Sequence, residues 1–144
     1  GKVASGMDIV TRIIQGADPT MPARAMMSAI RCTQATKRNT NTCPAGVATQ
    51  DPGLTRALHV PDKTKRVYNF QRATVASAAQ IVASMGLDGF DELNPTMLNR
   101  RIEGGRIRTY AELHEWLAPG ALLADTAPDS WRSDWAEASA DEFR

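Results

Sequence analysis

The sequence is poor in cysteine, histidine and aromatic residues, and it carries almost no net charge. Its 144 residues include 2 cysteines and 2 histidines, aromatic residues make up 6%, and the formal net charge is +1. Two cysteines are too few for a secreted disulfide scaffold. The near-neutral charge gives no reason to expect nucleic acid or an anionic membrane as a partner. No segment approaches the ~20 apolar residues of a membrane span, and no signal-peptide pattern is present. We therefore expect a reduced, cytoplasmic protein.

Motifs of common catalytic centres are also missing from the sequence. It contains no GxSxG, HExxH or P-loop pattern, and no nucleophile–base or paired-carboxylate arrangement. His59 and His114 are distant in sequence from both cysteines, so the spacing of a zinc site is absent. We interpret each histidine as a surface or packing residue. The identity of any catalytic residue stays open at this point.

The first thirty residues alternate between short extended and helical patterns. Val3 and Ala4 read as the end of a strand, and the Ser5-Gly6 turn that follows opens a helix with a buried apolar stripe to about Gln15. Residues 17–21 read as a second strand, which leads into a helix from Ala23. Strand–helix–strand–helix order predicts parallel strands. Because the chain opens at a strand end without an initiator methionine, we expect it to start within a domain.

The residues after position 53 are predicted to be mostly helical. The longest periodic segment is predicted as a helix from Asp62 as N-cap to Met85, with Gly86 as the terminating residue. A second helix is predicted from Asn94 to about Arg101, and a third from Thr109 to Leu117 through a Thr109–Glu112 capping box. The tail carries Trp131 and Trp135 four residues apart, and we expect it to pack back on the domain.

A polar stretch that contains both cysteines lies between the helix predicted from Ala23 and the helical region after position 53. Cys32 ends the helix from Ala23, and residues 33–44 are rich in Asn and Thr and close on Cys43-Pro44. These side chains favour turns over regular structure. Long irregular loops in compact domains are usually functional or disordered. Since both thiols lie here, we expect the loop to be functional.

The residues that flank the cysteines resemble a known family. The matching pieces are ARAMM (23–27), Cys32-Thr33-Gln34, NTNTCPAGVATQDP (39–52), Asp62-Lys63 and Arg66-Val67. They resemble the iron–sulfur loop of the FMN-dependent synthase domain of glutamate synthase and its smaller FMN-binding relatives. The resemblance implies an α/β fold in which residues 1–31 are the last two β/α units of a (β/α)8 TIM-type barrel, residues 32–53 are the cysteine loop and residues 54–144 are a helical C-terminal extension.

The resemblance also implies cofactors and their ligands. Family members bind a three-iron, four-sulfur cluster through three cysteines with C-x5-C-x4-C spacing. Here Cys32 and Cys43 match the outer positions, but the middle position is Arg38, and a guanidinium has no lone pair with which to replace a thiolate. Ser5, Gly6, Ala23 and Arg24 match the residues that would hold the FMN phosphate. The alternative is that Ser5-Gly6 is only a turn and Arg24 only a surface cation.

Two functions remain open from the sequence. The resemblance implies the C-terminal portion of an FMN and iron–sulfur oxidoreductase that forms glutamate reductively from 2-oxoglutarate and ammonia. Its partners would be the chain or domain that supplies the rest of the barrel, and an electron-donor or glutaminase subunit. Because isolated parallel strands leave apolar surface uncovered, we expect the chain to expose such a surface. The alternative is a non-catalytic helical interaction or scaffold fragment that has lost cluster and flavin binding.

Overall fold

The first helix is set by the cap that precedes it. In the computed structural model, which describes residues 2–142, α1 spans Gly6–Ile14. The Asp8 N–H donates to Ser5 Oγ at 3.2 Å, and Asp8 Oδ2 accepts from the Ser5 N–H at 2.9 Å and the Ala4 N–H at 3.0 Å. The Ala4 N–H, followed by the Ser5 hydroxyl, lowers the pKa of Asp8. This reciprocal cap fixes the start of α1.

The remaining elements are short, apart from one long helix. The α-helices after α1 are α2 (Ala23–Ala29), α3 (Pro52–Thr55), α4 (Val60–Ser84), α5 (Tyr110–Leu113) and α6 (Asp129–Glu137). The strands β1 (Asn99–Arg101) and β2 (Ile107–Thr109) pair antiparallel, with Arg100 opposite Arg108. Short 3-10 turns lie at Arg38–Thr40, Phe90–Glu92, Pro95–Met97 and Glu103–Gly105. Among residues 2–142, no helix is both long and apolar enough to cross a membrane.

The core lies between α1 and α4. Val10 and Ile14 of α1 are buried against Ala78 and Val82 of α4. Leu93, after α4, closes the cluster. The close packing begins at the first residue of α1, because a Cβ on Gly6 would lie 2.4 Å from the backbone nitrogen of Ala78. These contacts join two helices that are far apart in sequence into one hydrophobic core.

The predicted long helix forms, although its start differs from the prediction. It begins at Val60, and its cap is His59 rather than Asp62, because His59 Nδ1 accepts a hydrogen bond from the Asp62 N–H at 3.4 Å. Its end agrees with the prediction: Met85 is the C-cap and Gly86 follows with φ of +77°. Pro61 near the start suits a first helical turn, where its missing N–H is not needed.

The two strands predicted near the N-terminus do not form within residues 2–142. Residues 3–4 and 17–21 have no ladder partner there, and a strand exists only through hydrogen bonds to a neighbour. Val3 is nevertheless buried, with 2% of its surface exposed. Gly1 lies outside the described residues. The assignment of this segment to a barrel stays a prediction.

The predicted helix from Asn94 to Arg101 is wrong. Asn94 caps a single 3-10 turn by accepting from the Thr96 N–H at 3.1 Å, and the chain then enters β1. The turn between β1 and β2 places Gly104 and Gly105 at φ of +77° and +75°, a region that glycine adopts without steric cost. Pairing with β2 therefore replaces the local helical preference.

The capping box at Thr109 is confirmed, but the helix that it opens ends at Leu113. The tail contacts the segment before it, but α6 buries no residue and Trp131 and Trp135 stay 39% and 47% exposed, so close packing of α6 on the domain is not observed. Glu115 Oε2 accepts hydrogen bonds from the Trp131 indole N–H at 3.1 Å and from the Ser130 hydroxyl, which join α6 to the segment after α5. The last two residues of the tail lie outside the described residues.

A Gly6→Ala substitution tests the α1–α4 contact. The new methyl group would overlap backbone atoms of α4 that cannot rotate away. We expect the free energy of unfolding to fall by roughly 1–3 kcal/mol, as for other overpacked sites. Urea denaturation followed by circular dichroism measures the change.

Gly53→Ala is the matched control, because the nearest atom to its new Cβ is a side-chain oxygen of Asp51 at 3.1 Å. A loss for Gly6→Ala no larger than that for Gly53→Ala would contradict the tight helix contact.

Candidate functional site

The cysteine loop is attached to the core at its beginning. Arg66 of α4 donates from Nε to the carbonyl oxygen of Ala29, the last residue of α2, at 2.9 Å. This bond satisfies a carbonyl that has no partner inside the helix and places a cation at the negative end of α2. Arg66 thereby fixes where the loop leaves α2 relative to α4.

Several residues other than glycine adopt left-handed backbone conformations in or next to the loop. Arg31, Gln34, Thr36 and Asn41 have φ of 67°, 54°, 53° and 59°. Such angles are uncommon for residues with a Cβ, and most unusual for the β-branched Thr36. Each costs on the order of 1 kcal/mol and persists only where surrounding contacts hold it. The irregular path of the loop is therefore maintained by specific bonds.

Asn41 supplies the bonds that close the loop. Its side-chain oxygen accepts from the Gln50 N–H at 2.6 Å, and its backbone carbonyl accepts from the Thr49 hydroxyl at 2.6 Å. Thr49 Oγ1 in turn accepts from the Asp51 N–H at 3.1 Å. Asp51 then caps α3 by accepting from the Gly53 N–H at 2.7 Å. Asn41 and Thr49 of the NTNTCPAGVATQDP motif thus join position 41 to residues 49–51.

Gly46 allows the segment after Cys43 to fold tightly. Its φ is +69°, and a Cβ there would lie 2.3 Å from the carbonyl oxygen of Leu54. Both the backbone angle and the close approach exclude a larger residue. The chain can therefore curl back over Cys43, which retains 6% of its surface exposed.

The curled segment surrounds the Cys43 sulfur with backbone donors. The N–H of Ala48 is the largest cause that lowers the pKa of the Cys43 thiol, and burial acts against it. The N–H groups of residues 45–47 lower the pKa further. Backbone N–H groups stabilise a thiolate because they place partial positive charge against the sulfur. The fold thus lowers the pKa of Cys43 through its backbone N–H groups.

Both cysteines line one polar cavity of about 510 Å³. Arg38, which occupies the position of the missing middle cysteine, lines the same cavity. Lys37 also lines it. The three positions of the predicted cluster motif, 32, 38 and 43, therefore line one cavity. Arg24, which was predicted as a phosphate ligand, lines the same cavity. Lys37, Asn41 and Gly46 were not predicted as site residues, although the last two lie in the motif that pointed to the loop.

The four residues predicted to hold a phosphate do not form one group. The Ser5 and Ala4 N–H groups already donate to the Asp8 carboxylate, so these two donors are used within the cap of α1. Gly6 is pressed against α4 and has no open space beside it. Ala23, at the start of α2, lies in a separate shallow pocket with Met21 and Met26. FMN binding by Ser5, Gly6, Ala23 and Arg24 stays a prediction.

The residues of the loop do not fit a three-iron, four-sulfur cluster bound by three thiolates. Cys32 and Cys43 offer two thiolates, and Arg38 offers none. Elsewhere in residues 2–142, no three His, Cys, Asp or Glu side chains come close enough together to hold a metal ion. Iron in such clusters is bound by thiolates, so one position lacks a protein ligand.

Comparison with known proteins places this loop in a family context. Residues 1–88 match the family described as the conserved region in glutamate synthase. The glutamate synthase large subunit-like protein YerD of Bacillus subtilis is 36% identical over 107 residues, which are 74% of this chain and 20% of that protein. The archaeal glutamate synthase [NADPH] of Archaeoglobus fulgidus is 31% identical over 86 residues, 60% of this chain and 17% of that protein.

A third relative is matched over more of this chain. The glutamate synthase [NADH] of Saccharomyces cerevisiae is 29% identical over 130 residues, 89% of this chain and 6% of that protein. The chain thus spans a fifth or less of the length of these relatives. No solved structure gives a significant match.

The environment of Cys43 predicts an acidic thiol. In a Cys32→Ser variant, which keeps Cys43 as the single thiol, we expect its titration midpoint to lie below the ordinary value of about 8.5. Because folding lowers the pKa of Cys43, its ionisation adds to the free energy of unfolding at pH values above the pKa of the unfolded state. This contribution is lost as the pH falls through the pKa of the folded state. Thiolate absorbance against pH, with urea unfolding at matched pH values, measures both effects.

The Cys43→Ser variant is the control, and it should lose this pH dependence of stability. A midpoint at or above about 8.5 for Cys43 would contradict the proposed role of the backbone N–H groups.

Proposed function

This chain belongs to the glutamate synthase family, and on that premise we propose that it is the C-terminal portion of the synthase domain of an FMN-dependent, glutamate synthase-like oxidoreductase. The proposed reaction is the reductive formation of glutamate from 2-oxoglutarate and ammonia. The chain takes part only together with the rest of that domain. The observation that carries the proposal is the organised cysteine loop, in which Asn41 and Gly46 of the matched motif shape the backbone around Cys43.

The proposed barrel requires strands from elsewhere. Residues 1–31 would supply the last two β/α units, and their extended segments would become strands only when neighbouring strands complete the hydrogen-bond ladder. Burial of Val3 beside a helix that packs on α4 is compatible with this placement. In such barrels, the loops at the carboxyl ends of the strands form the active site.

An apolar groove on α4 is the surface proposed to receive the rest of the domain. It measures about 710 Å³ and is lined by Ile30 and Leu58 beside apolar residues of α4. Val60, Tyr68 and Val75 lie in it with 62%, 59% and 44% of their surface exposed. Exposed contiguous apolar surface marks an interaction site. The expected uncovered apolar surface thus lies on a helix rather than on strands, and the relatives are long enough to supply its cover.

The proposal gives the cysteine loop no electron-transfer step, because its donors do not fit the three-thiolate cluster. FMN, when bound by the complete domain, would supply the reducing chemistry. Within this chain, Arg66 positions the loop, Asn41 keeps it closed and the N–H groups of residues 45–48 lower the pKa of Cys43. Electron-donor and glutaminase subunits remain proposed partners.

The second candidate is a non-catalytic interaction or scaffold fragment. Arg38 at the position of a cluster ligand favours it. In that case the groove on α4 would bind a partner without supporting any redox chemistry.

A chimaera distinguishes the two candidates. This chain would replace the matching segment of the archaeal relative, with either Arg38 or the Arg38→Cys substitution in the loop. The oxidoreductase proposal expects FMN uptake and glutamate formation by both chimaeras, because it assigns the loop no electron-transfer step and leaves the reducing chemistry to FMN. FMN content by absorbance and glutamate formation with NADPH are measured against the parent enzyme. Two folded chimaeras that neither bind FMN nor form glutamate would support the scaffold function instead.

Iron uptake by the chain alone tests the ligand set of the loop. We expect the wild-type chain to retain no three-iron cluster after anaerobic reconstitution with iron and sulfide, because it supplies two thiolates. The Arg38→Cys variant completes the set and should take up about one cluster per chain. Iron and sulfide analysis with electron paramagnetic resonance measures the result. Equal cluster content in both proteins would show that Arg38 does not decide cluster binding.

A further inference from the structure

The cysteine cavity has a strongly positive wall. Arg24 enters it from α2, and Lys37 and Arg38 enter it from the loop, while no Asp or Glu side chain lines it. Among the described residues that line the cavity, Cys43 is the acidic group whose pKa is lowered. Three cations face at most one favoured thiolate, so the wall keeps a positive excess. A concave site lined by one sign of charge concentrates ions of the opposite sign.

The three cations have no protein partners among residues 2–142. The ion pairs in that part of the chain join Lys63 to Asp62, Arg108 to Glu112 and Arg132 to Asp129. No side-chain hydrogen bond from Arg24, Lys37 or Arg38 to a protein group occurs there either. Their donors are therefore available to a ligand.

We propose that this cavity is a binding site for a small oxyanion, a molecule that presents a phosphate or carboxylate group. Arg24 and Arg38 are the ligand-binding guanidinium groups, and Lys37 adds positive charge. A guanidinium offers parallel N–H donors that match two oxygens of a carboxylate or phosphate, whereas lysine acts as a point charge. Asn39, which also lines the cavity, adds an amide donor.

The position of Arg38 explains why the site would bind an anion instead of a metal cluster. The 3-10 turn Arg38–Thr40 is closed by the Thr40 N–H and hydroxyl, which donate to the Lys37 carbonyl oxygen, so the Arg38 side chain takes no part in it. A cysteine there would add a thiolate, whereas arginine adds a fixed positive charge. The same cavity therefore changes its preferred ligand through one side chain. A volume of about 510 Å³ accommodates a small organic or inorganic anion.

Calorimetric titration of the full chain tests the site. Inorganic phosphate and 2-oxoglutarate are added separately, at an ionic strength held constant with chloride. We expect saturable binding of at least one of them. The anion with the higher affinity shows whether the site prefers a phosphate or a carboxylate group. Arg38→Gln should weaken binding roughly 10- to 100-fold, as expected for loss of charged hydrogen bonds. Arg38→Lys should weaken binding less than Arg38→Gln, because lysine keeps the positive charge although it lacks the parallel N–H donors of a guanidinium.

Arg106→Gln is the matched control, since Arg106 is exposed in the β1–β2 turn and lies outside the cavity. It should change the affinity by no more than about twofold, because exposed distant charges are screened. Arg38→Cys should lose anion binding in the same preparation that gains iron. Circular dichroism confirms that each variant is folded.

The inference is overturned if neither anion binds saturably, or if Arg38→Gln and Arg106→Gln bind as the wild type does. The titration uses the chain without FMN or any other part of the synthase domain. Its failure therefore leaves the proposed oxidoreductase function standing, and failure of the chimaera leaves the anion site standing.

Discussion

The amide side chain of Asn41 controls the shape of the cysteine loop. It pairs with the Gln50 backbone and holds the ends of the turn together, while its own φ of +59° suits asparagine better than most residues. Gly46 then lets the enclosed segment pass close to Leu54. The result is a buried sulfur surrounded by N–H donors. The chemistry of Cys43 thus follows from backbone geometry that a polar side chain and a glycine maintain.

This architecture is independent of the residue at position 38. The side chain of Arg38 makes no hydrogen bond to protein within residues 2–142, and the turn that carries it is formed by the backbone. A loop of this kind can exchange a thiolate for a guanidinium without losing its fold. Its outline therefore identifies the glutamate synthase family, whereas its ligand chemistry is decided by individual side chains.

The long helix α4 has two apolar sides with different roles. Ala78 and Val82 pack against α1 in the core, and Tyr68 and Val75 lie in the open groove near α2. Arg66, nearer the start of the helix, holds the end of α2. One helix thereby supports the core, positions the cysteine loop and presents the surface proposed to receive the rest of the synthase domain.

Features that depend on neighbouring residues could be read from the sequence. The helix after Ser5, the Thr109–Glu112 capping box, the end of α4 at Gly86 and the irregular loop between the cysteines all follow from local hydrogen bonding and backbone preference. The family could also be recognised, because the loop motif is long and its asparagine, threonine and glycine residues each meet a local requirement.

Only the tertiary structure decided the features that join distant segments. Gly6 reads as part of a turn, yet its contact with Ala78 makes it a packing residue. Arg24 lies beside the cysteines rather than at α1, and the segment after Asn94 enters a hairpin because β2 pairs with it. In each case a partner remote in sequence outweighs the local preference, and periodicity and capping patterns carry no information about such partners.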